Sequence, residues 1–376
     1  MVVPAVAGDF HVSVPAIALA LTASLATRPL GALLFGILAD RYGRRLPLMA
    51  DVIFYSVIEV FSGLAPSYRA FLALRLLYGI GMGGEWGVGA SLTMESVPSR
   101  LRGLLSGLLQ EGYACGYLLA ALAHLTVFPH YGWRPMFFIG GLPALLSLFI
   151  RSKVKESEAW RQSRTDRKSY GRAIARNWPR FLYLVLLMTF MNAMSHGTQD
   201  MFPTFLSRQR HLGVQVVAAT TMISMVGALA GGILFGYLSD SWGRRRAMLS
   251  AVTFAGLLLP LWILAPGIPL IMAGAFLMQF MVQGAWGVIP AHINELSPGA
   301  LRGFFPGFAY QLGVLCASSI TYLESVVGEH LTYARSMGFS MVAVLVCLWL
   351  VIRFGPEATG QAFALPAPKP GPTSRA

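Results

Sequence analysis

The sequence predicts an all-α membrane protein built from two pseudo-symmetric helix bundles, and three observations predict it. Hydrophobic residues fill 55% of 376 positions and charged residues only 12%, with a mean hydropathy of +0.61; soluble domains carry about 25% charge. Apolar runs near the ~20 residues that cross a bilayer as a helix recur at 13–38, 47–65, 70–93, 103–127, 134–150, 180–204, 214–238, 247–265, 268–292, 303–325 and 333–353, eleven spans in all. A signature also repeats 200 residues apart: Gly36-x-x-x-Asp40-Arg41-x-Gly43-Arg44-Arg45 returns as Gly236-x-x-x-Asp240-x-x-Gly243-Arg244-Arg245. The register then holds, with Gly84, Trp86, Gly87, Glu95, Arg102, Gly103 and Gly107 returning as Gly284, Trp286, Gly287, Glu295, Arg302, Gly303 and Gly307. A repeat this regular in so apolar a chain means two like halves.

The first bundle spans 1–150, a basic linker 151–179, the second bundle 180–354, and a Pro-, Ala- and Gly-rich tail 355–376 reads as disordered. The net charge of +13 is a matter of topology. Residues 151–180 hold ten Lys/Arg, and the short loops at Arg41–Arg45, Arg100–Arg102 and Arg244–Arg246 are basic too, whereas alternate loops carry little. The positive-inside rule puts the basic set and the tail in the cytoplasm. Nucleic acid is thereby excluded as a partner; the bilayer of a plasma or inner membrane is the surrounding, and a monomer is expected. Cys115, Cys316 and Cys347 fall inside spans as small apolar packing residues, without metal-ligand spacing. The N-terminus shows no cleavable signal peptide.

Subtracting 200 from the 180–204 span lands before Met1, so residues 1–5 read as the end of a first helix matching Met201–Phe205, and His11 pairs with His211. Eleven spans of an expected twelve follow, through either a start placed too late or a truncated gene.

Polar residues inside the spans are the functional candidates. Asn192, His196 and Asp200 are spaced i, i+4, i+8 and share one helix face. Histidine titrates near neutral pH and a carboxylate one turn away can share its proton, so His196–Asp200 is a proton-site candidate; Asn192, Ser195, Thr198 and Gln199 offer hydrogen bonds to a small hydroxy or keto acid. The opposing readings are helix packing for His196 and a solvated interfacial charge for Asp200. Arg28 lies about fifteen residues into its span, roughly 22 Å at ~1.5 Å per residue, and is the anchor expected for an anion; the bland alternative pairs it with Glu59, Glu85 or Glu111. Arg75 sits nearer a helix end and could snorkel. At offset 200, Arg28, Arg75 and Glu85 face Ala228, Ala275 and Ala285, an asymmetry that favours specialised work. Glu111 and Gln311 are offset partners, and Glu95 and Glu295 are expected to pair with Arg102 and Arg302 or with the basic loops.

The repeated Gly-x-x-x-Asp-Arg-x-Gly-Arg-Arg signature resembles that of the major facilitator superfamily over nearly the whole chain. The resemblance implies that the loop joins the second and third helices, its copy the eighth and ninth, and that Gly36, Asp40, Arg41, Gly43, Arg44, Gly236, Asp240, Gly243 and Arg244 form a cytoplasmic gate. There glycines allow close approach and the aspartates meet basic groups or a helix N-terminus. The run Asn192-x-x-Ser195-His196-x-Thr198-Gln199-Asp200-x-x-x-Thr204 is similar to the seventh-helix motif of the Jen-type lactate and pyruvate proton symporters, in the sialate:proton symporter family. Gly83–Ala90 and Tyr310–Gly313 resemble that group as well, although Val314 stands where Asn is frequent. The resemblance implies proton-coupled symport of short monocarboxylates, substrate recognition by Gln311, and proton coupling at Arg75 of the fourth-helix motif; Glu85 and Glu111 join that coupling set. A sialate or other organic-acid carrier is the alternative, and a non-transporting remnant or sensor the rival outside transport. With no nucleotide loop, hydrolase elbow or metal cluster in the sequence, an enzyme, a metal and a cofactor are not expected.

Overall fold

In a bilayer core, only structures that satisfy their own backbone survive, and helices are what this chain forms. The computed structural model describes residues 2–163 and 167–363, with no strand among them. The first half comprises α1 (Val3–Asp9), α2 (Val14–Tyr42), α3 (Arg45–Gly63), α4 (Tyr68–Ser96), α5 (Arg102–Gln110), α6 (Gly112–Thr126), α7 (Phe128–Tyr131), α8 (Arg134–Gly140) and α9 (Ala144–Lys153). The linker carries α10 (Glu158–Ser163) and α11 (Arg167–Arg176). The second half has α12 (Trp178–Gln199), α13 (Phe202–Thr204), α14 (Val214–Trp242), α15 (Arg244–Leu264), α16 (Ile268–Leu296), α17 (Phe305–Ala317), α18 (Ser319–His330) and α19 (Tyr333–Phe354).

Seven helices among the described residues are long and apolar enough to cross a membrane: α2, α3, Trp178–Gln209, α14, α15, α16 and α19. The other expected spans fall on α4 and on the pairs α5–α6, α8–α9 and α17–α18. Those pairs differ from the continuous helices expected, for local reasons. Pro143 has no N–H to give and follows Gly140 and Gly141. The Ser318 hydroxyl bonds the Leu315 carbonyl. At Glu111 the irregularity is one residue long, since Glu111 N–H bonds Gly107 O and Cys115 N–H bonds Glu111 O across it. The cysteines also differ from the expected packing role: Cys115 and Cys316 are exposed.

The repeat survives in the backbone. His11 and His211 both adopt φ 52°, the left-handed region that non-glycine residues seldom enter, and Gly43 and Gly243 sit at φ 101° and 91°. Both glycines turn the chain sharply between consecutive helices, and a side chain there would be strained. α2 packs along α4 and α14 along α16, while α17 meets α2 and α14 meets α5 across the halves. One close crossing of the halves is Gly87 against Gly307, where a Cβ on Gly87 would lie 2.4 Å from the Gly307 Cα.

At the arginine-rich end the halves are bolted together twice, in mirror fashion. Asp40 Oδ1 accepts from Arg44 Nη1 (2.8 Å) and the Gly303 N–H (2.7 Å), and its Oδ2 accepts from the Phe304 N–H (3.1 Å). Asp240 accepts from Arg244 Nη1 (2.9 Å) and from the N–H groups of Gly103 (2.8 Å) and Leu104 (3.1 Å). Each aspartate thus caps a helix start in the opposite half. Glu95 receives Arg44 (3.1 Å) and Arg302 (3.2 Å), while Glu295 receives Arg244 (2.9 Å) and Arg102 (3.0 Å). Arg44 and Arg244 are fully buried, which such complete pairing makes tolerable. Gly36 packs on Phe304, and Gly236 on Gly103 and Gly107, placing both first-position glycines at the seam. Arg41, by contrast, is exposed and lies over the Tyr42 ring at 5.2 Å.

The linker and tail are part of this seal. Glu156 accepts from the N–H groups of Arg44 and Arg45, and Glu357 from that of Arg245. Trp160 donates to the Asp40 carbonyl (2.8 Å) and Tyr170 to Asp40 Oδ2 (2.9 Å). Burial, and then the Asp40 charge, push the Tyr170 phenol up, so it stays a donor. The tail departs from the expected disorder over its first residues: the Phe363 ring lies between Arg102 (3.7 Å) and Arg302 (3.8 Å), and Gln361 O accepts from Arg102. The remainder of the tail, 364–376, lies outside the described residues.

Candidate functional site

Above the seal, a cavity of about 410 Å3 opens between the halves. The α12 face brings Asn192, Ser195, His196, Gln199 and Asp200 to it, and α2 brings Leu25 and Arg28. The other lining residues are Gln110 and Tyr113 near the α5–α6 junction, Gln283 and Trp286 from α16, and Tyr310, Val314 and Ser318 from α17–α18. Arg28 is half-buried, its Nε has no hydrogen-bond partner, and no carboxylate of the described residues comes within ion-pair distance of it. His196 Nδ1 lies 3.1 Å from Asp200 Oδ2, both side chains being partly open to the cavity at 44% and 39%. One compartment therefore holds a guanidinium and an imidazole–carboxylate pair.

Secondary structure explains this assembly. Positions 192, 195, 196, 199 and 200 form one stripe of a helix, and α12 continues hydrogen-bonded through Asp200, whose N–H bonds His196 O at 2.9 Å. Asn192 itself is buried, donates to Met188 O and lines the cavity. Gln199 Nε2 donates to Gln279 Oε1 (2.9 Å), and Gln279 Nε2 in turn donates to Thr198 Oγ1 (3.1 Å). Thr198 lines a smaller neighbouring cavity of about 200 Å3 that shares Tyr113, Gln199 and Asp200 with the larger one.

Several expected residues lie elsewhere. Gln311 is buried with its amide toward Gly83 O at 3.5 Å. The α17 stripe facing the cavity is 310–314–318, and 311 is rotated about 100° from it. Val314, the departure noted in the sequence, is on that stripe. Arg75 does not snorkel: it is buried, pairs with Glu59 at 2.7 Å, hydrogen-bonds Ser62 and stacks over Tyr78 at 4.3 Å. That pair removes Glu59 as a partner for Arg28. Glu111 packs against Gly232 with one carboxylate oxygen unpartnered, outside the cavity lining. Glu85 lies behind Arg28, close enough to feel its charge.

Sequence reasoning missed the aromatic floor and two acids. Trp86 stacks on Tyr310 at 4.4 Å and Trp286 meets the same ring edge-on at 6.1 Å. The two tryptophans are offset-200 partners, which was the available signal. Glu324, buried on α18, touches α12 at Gly197 and accepts from Ser340 Oγ (2.5 Å). Asp51, buried on α3, has no partner for either carboxylate oxygen. Both are acids inside apolar runs, and that was the available signal.

The family model described as Major Facilitator Superfamily matches residues 1–318 and 185–373. A carboxylic acid transporter protein homolog of Saccharomyces cerevisiae is 28% identical over 346 residues, covering 85% of this chain and 56% of that one. The chain thus spans little more than half of the yeast relative. The sialic acid transporter NanX of Escherichia coli is 29% identical over 356 residues, covering 93% and 86%. Among solved structures, FucP in the outward conformation superposes with a TM-score of 0.75 at 12% identity, covering 90% of this chain and 89% of that one. With the matched family model, the twofold helical repeat and the apolar spans in agreement, the chain is a multi-pass protein of the plasma or inner membrane and belongs to the Major Facilitator Superfamily.

Proposed function

We propose that the protein is a proton-coupled symporter of small organic anions, with a short monocarboxylate such as lactate or pyruvate as cargo. One observation carries the reading: Arg28, with no acid among the described residues in ion-pair reach, lines the same cavity as the His196–Asp200 pair. A carboxylate placed there gains a charge-assisted, geometrically bidentate partner. A proton on His196–Asp200 offsets the anion's charge, so the loaded cavity is less costly to carry across a low-dielectric core. Eleven helical passes, the arginine-rich end in the cytoplasm, and rocking of the halves about the cavity complete the mechanism. With both bolts closed, the cavity is reached from outside; breaking them opens it inward.

In the test, His196→Ala should abolish acid-stimulated uptake of radiolabelled lactate by proteoliposomes while leaving membrane insertion intact. Normal uptake by that variant sinks the proposed role.

A second reading has its own support. The cavity, about 410 Å3, lies in the ~300–1,000 Å3 range that holds drug-sized ligands, and a three-carbon acid leaves room in it. Similarity to a sialic acid transporter over 93% of the chain points the same way. Competition of unlabelled sialate and aromatic acids against lactate separates the two readings.

A further inference from the structure

Inside the first half, away from the cavity lining, lies a carboxyl group with no visible use. Asp51 is 0% exposed and neither of its oxygens has a hydrogen-bond partner. The helix register shows what faces it. A Cβ on Gly81 would meet Tyr55 at 2.6 Å, and one on Gly89 would meet Leu48 at 3.9 Å. α3 and α4 therefore run antiparallel with position sums of 136 and 137, which sets Asp51 opposite Glu85. The electrostatic neighbours agree: Asp51 feels Glu85, and Glu85 feels Arg28. Arg28 is held against the same helix, its carbonyl 2.0 Å from where a Gly83 Cβ would stand.

Among the described residues no cation pairs with Asp51 directly. On its own helix the other ionisable groups are Arg45 at the helix start, six residues away, and Tyr55 and Glu59, the last taken by Arg75. α4 offers Glu85 and Tyr78, and α2 offers Arg28 beyond Glu85. α9 has no ionisable residue before position 151, and Arg134 of α8 is bound to Gly63 O at the far end of α3. An ionised carboxylate without donors in such a place is strongly disfavoured. Two facing carboxyls without a shared cation do not both ionise, and they titrate as a pair.

We propose that Asp51 is a proton-carrying group, paired with Glu85 in a buried carboxyl station that connects Arg28 with the arginine-rich end of the first half. Asp51 stands six residues from Arg45, ~9 Å at ~1.5 Å per residue, so the station lies on the inner side of the cavity. When an organic anion occupies Arg28, Glu85 loses its counter-charge and accepts the proton first taken up by His196–Asp200. When the anion departs, Arg28 again favours ionised Glu85, and the pair gives up one proton through Asp51 toward the inner side. One proton accompanies one anion, and no other bond changes.

This transport role rests on the symport reading, whereas the protonation of Asp51 does not. Infrared spectra of the full chain at neutral pH test the latter. A protonated-carboxyl carbonyl band in the wild type that Asp51→Asn removes is expected; its absence from the wild type, or its survival in Asp51→Asn, overturns the proposal. Should Asp51→Asn not be recovered folded, Glu85→Gln must shift that band, and an unshifted band overturns it equally. In proteoliposomes, Asp51→Asn should keep radiolabelled lactate counterflow within about twofold and lose pH-driven net uptake by about tenfold or more, with rescue by Asp51→Glu. Loss of both activities, or of neither, removes Asp51 from the proton route. A wild type that moves no lactate defeats the symport reading, and the infrared band still decides Asp51.

Discussion

Replacing Gly87 with valine should drive the halves apart at the arginine-rich end. In the closed arrangement the first added carbon on Gly87 meets the Gly307 Cα at 2.4 Å, well inside contact distance, and the neighbour is backbone that cannot rotate away. Overpacking of this kind costs about 1–3 kcal/mol. An arrangement with the halves separated lacks the contact and escapes that cost, so the open population should rise roughly 5- to 150-fold. A reporter cysteine at Ala39, which is fully buried at the seam, reads the change. In a background with the three native cysteines replaced, its alkylation rate by a membrane-impermeant maleimide should rise by that factor in Gly87→Val. Gly89→Val is the control, because a Cβ there finds only Leu48 at 3.9 Å. If Ala39→Cys reacts no faster in Gly87→Val than in the control, while both proteins remain monodisperse, the glycine contact does not hold the halves closed.

Other outcomes follow from the same geometry. Arg28→Gln should weaken binding of the carried acid by roughly 10- to 150-fold, the value of a hydrogen bond to a charged group at about 1.5–3 kcal/mol. Equilibrium binding to detergent-purified protein measures it, and unchanged affinity would remove Arg28 as the anchor. Arg75→Gln leaves Glu59 buried beside no cation, a loss of about 3–5 kcal/mol. Thermal unfolding should show the double variant Arg75→Gln/Glu59→Gln recovering most of it; no recovery would mean that the pair is not the unit of stability. Glu357, outside the spans, is pushed up by burial, but hydrogen bonds from Thr359 and the Arg245 N–H outweigh this and hold it below its ordinary 4.5. Its folded value is depressed, so its stabilisation is present above 4.5 and is lost as pH falls through the lower folded value. Glu357→Gln should accordingly flatten the acid limb of the stability profile, and an unaltered limb refutes the assignment.

What the sequence made legible was whatever the repeat or the helix period encodes. The His11–His211 correspondence, the Asp40 and Asp240 positions and the 192–195–196–199–200 stripe are all counts along a chain, and counting places them. Interhelix partnership is not periodic. Nothing in the spacing says that Arg75 takes Glu59 and thereby leaves Arg28 without that partner, because the choice depends on how α2, α3 and α4 rotate against one another. Gln311 shows the same limit: one step along α17 separates a residue facing the cavity from one facing a neighbouring backbone. The tail misled composition for a further reason. Its Pro and Gly content describes the chain's own preferences, whereas Phe363 is held by two arginines brought together from opposite halves.

The crossed bolts carry a consequence for how the molecule moves. Asp40 of one half reaches residues 303 and 304 of the other, and Asp240 returns the contact at 103 and 104. Within a single polypeptide this is an isologous interface, the self-complementary kind that two identical subunits make about a dyad. A hinge that frees one bolt must displace the same rigid body that carries its twin. Release of either bolt therefore loads the other, and the two contacts act as one coupled latch on this end.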